Sequence, residues 1–277
     1  MSSILITGAS GNVGNEVAKH LMEKNIPFLV TTYKQQEADE GKVYFDFEQQ
    51  QTFLPAFEDV EKLFLIRPPQ ISDAKKYFLP LIQVAKQQGV KQIVFLSVLG
   101  VENIKFVPHA KIEQYIRDAQ IPYTFLRPSF FVQNIVNQHG DELRKDNTLY
   151  VPAGNGKTSF IDVRDIGEVG AKCLTEDGHQ NKAYTLTGSE ALTCYDVARI
   201  FSEEVGRTII YTHPSLWQFR KHMLAKGIPS AYVTAMSIIY LTTILGLAKK
   251  ITPELAILLG HPPRTVREYA HDHREQL

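Results

Sequence analysis

The stretch ITGASGNVGNEV, residues 6–17, decides how the rest of the chain is read. Gly8, Gly11 and Gly14 stand three apart, directly after the apolar run Ile4-Leu5-Ile6. A sharp strand-to-helix turn favours a residue without Cβ. A pyrophosphate laid against such a turn meets the free N–H groups of a helix N-terminus, where the helix dipole also favours an anion. A third glycine lets helix and strand pack closely. Ser10, Asn12 and the backbone at Val13 complete the candidate cradle. The competing reading is an ordinary glycine-rich loop. Position decides against it, because this turn stands between a strand and a helix at the head of a strand–helix array.

Working outward, apolar strand-like runs recur at residues 3–7 (SILIT), 27–33 (PFLVTTY), 42–47 (KVYFDF), 60–66 (VEKLFLI), 90–97 (VKQIVFLS) and 121–128 (IPYTFLRP). Helical patterns lie between them, the longest over 73–89 and another from His109 to Ala119. Asn25 and Gly89 stand where helices stop. This alternation predicts an α/β fold, a doubly wound Rossmann-type parallel sheet covered on both faces. After Pro128 the rhythm breaks. Residues 154–174 predict one more strand and a helix with Asp165 as its N-cap. From about residue 187 the chain turns mostly helical. The predicted division is an NAD(P)-binding domain over 1–128 and 146–186, and a smaller, mainly helical C-terminal substrate lobe over 129–145 and 187–277.

Composition narrows the function classes. The 277 residues balance at zero formal charge, with 30 Lys+Arg against 30 Asp+Glu, and 44% are hydrophobic. Nothing points to a nucleic-acid arm or a membrane partner. The two cysteines, Cys173 and Cys194, suit a reducing, cytoplasmic setting better than a disulfide framework. No basic region leads into a long apolar run, so no secretory leader is expected. Residues 236–248 (MSIIYLTTILGLA) are too short and too interrupted by Thr and Ser to cross ~30 Å of hydrocarbon, and are expected to form a buried helix. No metal site is expected. His261 and Pro262 read as a turn, His271 and His273 as exposed, and Trp217, Phe219 and Tyr232 mainly as core.

The second strand ends Thr31-Thr32-Tyr33-Lys34. An NAD site ordinarily carries an acid there to hold the ribose 2′-hydroxyl. Its absence, with Lys34 available to a 2′-phosphate, points to NADP, with NAD still possible. Asp46 either accepts from an adenine amino group or simply starts a turn. No tyrosine is followed by lysine four residues later. Sugar epimerisation and other chemistry that relies on a Tyr-x-x-x-Lys pair is therefore disfavoured. Asp162 and Asp165 read as helix-capping residues rather than a catalytic carboxylate pair.

The segments TGASGNVG, VEKLFLI, HAKIEQYIRDAQIPYTFLRPSFFVQN, SFIDVRDIGEVGA, YTLTGSEALT and LLGHPPRTVREY resemble, end to end, the NmrA-like branch of the atypical short-chain dehydrogenase/reductases. Within that branch the chain looks closest to bacterial NAD(P)H:quinone oxidoreductases and triphenylmethane-dye reductases. The resemblance implies that Gly8, Ser10, Gly11, Asn12, Val13 and Gly14 hold the pyrophosphate. It implies that Thr32 and Lys34 surround the adenosine ribose, Asp46 the adenine, and Ile66 and Arg67 the adenosine half. Many relatives carry small residues after the fourth strand, where this chain reads Ile66-Arg67-Pro68-Pro69, and Arg67 is also a candidate to meet phosphate. Ser97 would sit by the nicotinamide ribose, with Pro128, Ser129 and Phe130 offering backbone to the carboxamide and Asn134 following. His109 either hydrogen-bonds the ribose, donates a proton to a reduced quinone, or merely caps its helix. An unperturbed imidazole suits proton donation near neutrality. Lys111 is a rival donor. Glu113 reads as structural, paired with Arg117 at i+4.

Three functions follow from this reading. The first is an NAD(P)H-dependent oxidoreductase passing a hydride to a quinone-like or conjugated aromatic acceptor, with His109 and Ser97 as catalytic candidates, as a monomer or homodimer. The second is a non-catalytic NAD(P)-binding redox sensor. The third, a nucleoside-diphosphate-sugar epimerase, is disfavoured by the missing Tyr–Lys pair.

Overall fold

The computed structural model describes residues 3–277. The chain divides into two compact units, residues 1–128 with 163–186, and residues 129–162 with 187–277. Residues 146–162, expected in the first domain, therefore belong to the second unit.

The first unit alternates strands and helices as far as residue 128: β1 (Ser3–Ile6), α1 (Asn12–Glu23), β2 (Phe28–Thr32), β3 (Lys42–Tyr44), α2 (Phe53–Ala56), β4 (Val60–Ile66), α3 (Ala74–Gln87), β5 (Gln92–Leu96), α4 (Pro108–Asp118) and β6 (Tyr123–Pro128). The chain then contributes α5 (Gln133–Asp146), β7 (Thr148–Leu149) and β8 (Lys157–Thr158) to the second unit. It returns to the first with α6 (Val163–Thr175) and β9 (Lys182–Leu186). The remainder of the second unit is β10 (Leu192–Thr193), α7 (Cys194–Val205), β11 (Ile210–Tyr211), α8 (Leu216–Ala225), α9 (Ser230–Ile244), α10 (Glu254–Leu259) and α11 (Val266–Asp272).

Seven parallel strands form the central sheet in the order β3-β2-β1-β4-β5-β6-β9. The order reverses between β1 and β4, and the glycine turn leaves β1 at that switch point, where doubly wound folds bind ligands. Two strand expectations need correction. The seventh strand is β9, whose first two residues are exposed. The strand expected within 154–174 is only β8, which pairs with β10 outside the central sheet. Asp165 is the third residue of α6 rather than its cap, and Asp162 directly precedes that helix.

Local chemistry explains the helix ends. Asn25 and Gly89 take left-handed backbone (φ 54° and 77°), as expected of stop residues. Asp73 caps α3 by accepting from Lys76 N–H at 3.0 Å. Pro80 inside α3 has no N–H for the carbonyl of Lys76, and Gln50 Nε2 reaches that carbonyl at 3.3 Å. Helices α1 and α6 approach so closely that a Cβ on Gly167 would lie 2.3 Å from Glu16 Cβ. One face of the first unit is a fully buried cluster that includes Leu5, Phe53, Phe57, Leu63, Phe78, Ile93 and Phe125. Burial of this kind contributes roughly 2 kcal/mol per large side chain.

The second unit has its own core around Val197, Phe201, Phe219, Tyr240 and Tyr269. Phe219 is core as expected, but Trp217 is 70% exposed and Tyr232 40% exposed. His271 is exposed, whereas His273 is half-buried and stacks on Tyr269 at 4.5 Å. The stretch 236–248 is not a buried helix. Only Val233, Met236, Tyr240 and Thr243 of α9 are buried.

Candidate cofactor site

The glycine turn is built from the strand outward. Thr7, the residue after β1, is fully buried; its N–H donates to the Phe64 carbonyl at 3.0 Å, and its Oγ1 accepts from Ile66 N–H at 2.8 Å. This clip fixes the end of β1 against the end of β4 and brings Ile66 under Gly8. Gly8 has φ +69°, and a Cβ there would sit 3.4 Å from Ile66 Cβ. The Gly8 carbonyl accepts from Gly11 N–H at 3.0 Å, closing the turn. A Cβ on Gly14 would lie 2.3 Å from that same carbonyl oxygen. Gly8 and Gly14 are thus required for the turn itself.

The turn also fits an anion. Gly11 is the N-cap of α1, with no side-chain cap and no acid in the first turn. The first N–H groups of a helix have no intrahelical acceptor, so here they stay available. Gly8, Ser10, Gly11 and Asn12 are exposed, while Val13 buries its side chain in the core and offers only backbone. A helix start without its own carboxylate, faced with exposed glycine backbone, is the arrangement a pyrophosphate needs.

Most of the side chains expected around the cofactor have protein partners of their own. Lys34 Nζ binds Glu37 Oε1 at 2.7 Å, and Glu37 Oε2 accepts from Thr32 Oγ1 at 3.4 Å. The hydrogen bond and charge of Glu37 raise the Lys34 pKa, and Lys34 in turn lowers that of Glu37. Glu37 is an acid beside the second strand's end that the sequence reading missed. Its signal is the Lys-x-x-Glu spacing through a short 3-10 turn, Gln35–Glu37. Asp46 starts a turn: Oδ1 accepts from Glu48 N–H at 2.9 Å and Oδ2 from Gln49 Nε2 at 2.8 Å.

Arg67 folds into its own loop. Its Nη1 donates to the carbonyls of Pro68, Pro69 and Ile71 at 2.9, 3.2 and 2.6 Å. Its Nε donates to His109 Nε2 at 3.3 Å. Burial lowers the Arg67 pKa. His109 is the second residue of α4, and the cap position belongs to Val107 with no side-chain cap, so His109 does not cap the helix. Burial, followed by the Arg67 charge, pushes the His109 pKa down to about 3. The unperturbed imidazole expected from the sequence is therefore not what the fold provides. His109 is neutral near pH 7, and because Nε2 accepts from Arg67 its proton sits on Nδ1.

Ser97 is 2% exposed and donates its hydroxyl to Glu113 Oε1 at 2.7 Å. Glu113, itself 2% exposed, accepts a fork from Arg127, Nε at 3.0 Å and Nη2 at 2.7 Å, and a further bond from Arg117 at 3.0 Å. The Arg117 partner is the one the i+4 spacing predicts. Arg127 also reaches Glu102 at 3.3 Å. The Ser97 hydroxyl proton is thus committed to a buried ionic network. Lys111 is exposed.

Pro128 ends β6, and its carbonyl accepts from Leu99 N–H at 3.0 Å. Ser129, Phe130 and Asn134 belong to the second unit. There the Phe130 carbonyl accepts from Ile161 N–H at 3.0 Å, and its ring meets Phe160 edge-on at 5.8 Å. Asp162 accepts from Gln133 Nε2 at 2.8 Å. Among the described residues no group of three or more His, Cys, Asp or Glu is placed to hold a metal ion.

A parallel sheet whose order reverses beside an uncapped, glycine-lined helix start defines a dinucleotide-binding protein of the Rossmann class. The chain belongs to the NmrA-like family, whose profile it matches over residues 1–270. It is 31% identical to the NAD(P)H azoreductase of Xenophilus azovorans, aligned over 98% of this chain and 97% of that one. The NADPH-dependent quinone oxidoreductase of Escherichia coli, solved with NADPH, superposes with a TM-score of 0.87 at 25% identity, covering 97% of this chain and 99% of that one. The Citrobacter sp. triphenylmethane reductase, solved with NADP(H), superposes at 0.86 and 26% identity, covering 99% and 100%.

Proposed function

We propose that this chain is an NADPH-preferring reductase that passes a hydride to a flat, conjugated acceptor of the quinone or aromatic-dye class. The observation that carries the reading is the Gly8–Gly14 turn, an anion cradle at the switch point, in a chain similar to NAD(P)H-dependent azo, quinone and dye reductases. When bound, the nicotinamide supplies the hydride, and the protein supplies orientation and exclusion of water.

In this proposal the chain's own groups take the following roles. Ser10, Asn12 and the N–H groups from Gly11 to Gly14 hold the pyrophosphate. Lys34 turns from Glu37 to a 2′-phosphate, giving up an exposed ion pair of small worth. Thr32 borders the ribose. Asp46 keeps lone pairs for an adenine amino group beyond its turn bonds, and Ile66 packs beneath Gly8. Neutral His109 presents Nδ1–H as a fixed hydrogen-bond donor, held by Arg67, and changes no charge near neutrality. A quinone gains a hydride with little acid assistance, which accords with a site that has neither a Tyr–Lys pair nor an imidazolium. Pro128 contributes main chain toward the carboxamide. Cys173 and Cys194 are both buried and free, which accords with a reducing, cytoplasmic setting.

The test uses purified protein with NADPH or NADH and a panel of quinones, azo dyes and triphenylmethane dyes, following nicotinamide absorbance. The expected result is oxidation that needs both protein and acceptor, with NADPH preferred on the order of tenfold. Tight NADPH binding with no acceptor turned over would overturn the reductase reading in favour of a redox-sensing binding protein.

A further inference from the structure

Helix α9 and the turn after it, residues 230–248, contain no charged residue. A helix apolar on every face is normally buried, yet only one face of α9 is. The other exposes Ile238 (59%) and Leu241 (41%), and the exposed row continues through Leu245 (63%) and Leu247 (62%). Helix α8 runs antiparallel beside it: Arg220 donates to Ser230 Oγ at 3.1 Å and to Thr234 Oγ1 at 2.9 Å. Trp217, one turn before Arg220 on the same helix, is 70% exposed.

The charge of the segment that forms this surface is one-sided. The chain as a whole is neutral, but residues 205–253 hold six cations (Arg207, Arg220, Lys221, Lys226, Lys249 and Lys250) and no Asp or Glu. Two of these are spent elsewhere. Arg207 bonds the carbonyl of Leu143 and Asn147 Oδ1, and Lys226 pairs with buried Glu142 at 2.8 Å. The other four border the apolar face. Arg220 bonds only to hydroxyls in the contacts above, Lys221 lies over the Trp217 ring at 5.6 Å, and Lys249 and Lys250 are exposed directly after the apolar turn.

We propose that the α8–α9 face docks on an anionic lipid bilayer, with the aliphatic row and the Trp217 indole at headgroup depth and the four cations against lipid phosphates. An interfacial helix combines these features, an apolar outward face, an aromatic at the rim and flanking Lys/Arg. Charge decides the occupant. A second copy on this face would bring two sets of unpaired cations together, whereas an anionic surface neutralises them. No helix among the described residues is long and apolar enough to cross a membrane, so the attachment is peripheral. The inference stands apart from the acceptor reading.

Flotation with vesicles of phosphatidylcholine alone, or mixed with phosphatidylglycerol, tests it. The expected result is partition at least tenfold stronger onto the anionic vesicles, weakening as salt rises. Lys249→Glu with Lys250→Glu should lower partition on the order of tenfold. Leu245→Ser should lower it several-fold at unchanged charge. Both variants should keep the wild-type melting temperature and the wild-type rate with a water-soluble acceptor. No partition onto anionic vesicles, or partition indifferent to both variants, overturns the proposal. A dimer seen by light scattering and broken by Leu245→Ser also overturns it, assigning the face to a second copy.

Discussion

The Gly8–Gly14 turn and the side chains at the ends of β2, β4 and β5 stand beside the same edge of the sheet, yet they are prepared in opposite ways. At the turn, the backbone donors at the start of α1 have no side-chain cap and no acid beside them. At the strand ends, Lys34, Arg67, His109 and Ser97 are already bonded to Glu37, to loop carbonyls, to Arg67 and to Glu113. In the proposed site the first region receives the ligand. In the second, the buried groups Arg67, His109 and Ser97 are held in place by their partners, and only the exposed Lys34–Glu37 pair is open to exchange.

The largest effect should come from the turn. Gly14→Ala places a methyl carbon against the Gly8 carbonyl, where 2.3 Å is available, so the turn must open. Overpacking of this kind costs about 1–3 kcal/mol, and NADPH affinity measured by fluorescence titration should fall by roughly ten- to a hundredfold. Unchanged affinity would mean that the turn does not grip the cofactor.

Next comes the buried network. Glu113→Ala leaves Arg127 without its fork, and breaking a buried ion pair of this kind costs about 3 kcal/mol, read by denaturant unfolding. Ser97→Ala removes one hydrogen bond to a charged group, about 1.5 kcal/mol. If Ser97 is a support, this variant loses stability while its rate with a good acceptor falls less than about fivefold, well short of the loss expected of a general acid–base. A rate loss beyond a hundredfold with unchanged stability would restore Ser97 to the chemistry.

His109 sharpens the comparison through pH. Its folded pKa, about 3, lies below the unperturbed value near ~6.5. Below the latter the unfolded chain binds the proton and the folded chain resists it. The contribution of neutral His109 to stability is therefore complete above about pH 6.5 and is lost as pH falls toward 3. Melting temperatures from pH 7 to pH 4 should fall less steeply in His109→Gln than in the wild type. His139, whose pKa burial lowers to about 4, supplies the slope common to both. Reductase rates should show no imidazole titration between pH 6 and 8; a clear inflection there that vanishes in His109→Gln would show that His109 carries the proton after all. The smallest effect belongs to Lys34, since its pair with Glu37 is exposed. Lys34→Ala should cut the NADPH-over-NADH preference by at most about tenfold, and Glu37→Gln should raise it slightly.

The same division explains how much was legible in the sequence. The turn could be read because its requirement is the absence of a side chain at fixed spacing, and Gly8, Gly11 and Gly14 declare that directly. Strands β4, β5 and β6 could be read because buried parallel strands are continuous apolar runs, while β2 and β3 keep apolar residues at half-buried positions. The side-chain states could not. Arg67 and His109 are 42 residues apart and Ser97 and Glu113 are 16 apart, so only the fold brings them together and decides which is neutral, charged or spent. Strand β9 escaped notice because its exposed start and short length leave no apolar run. The α9 stretch was misread because its composition suits a buried helix, and only the structure shows the side on which nothing packs.

The central claim is that this chain positions a nicotinamide for direct hydride transfer. It is tested most directly with NADPH deuterated at one or the other face of nicotinamide C4. One reads by mass spectrometry whether the oxidised cofactor keeps the label after turnover with a quinone. The account predicts loss of deuterium from one epimer and full retention from the other, as a single fixed orientation requires. Equal loss from both epimers, or no acceptor-dependent oxidation at all, would contradict it.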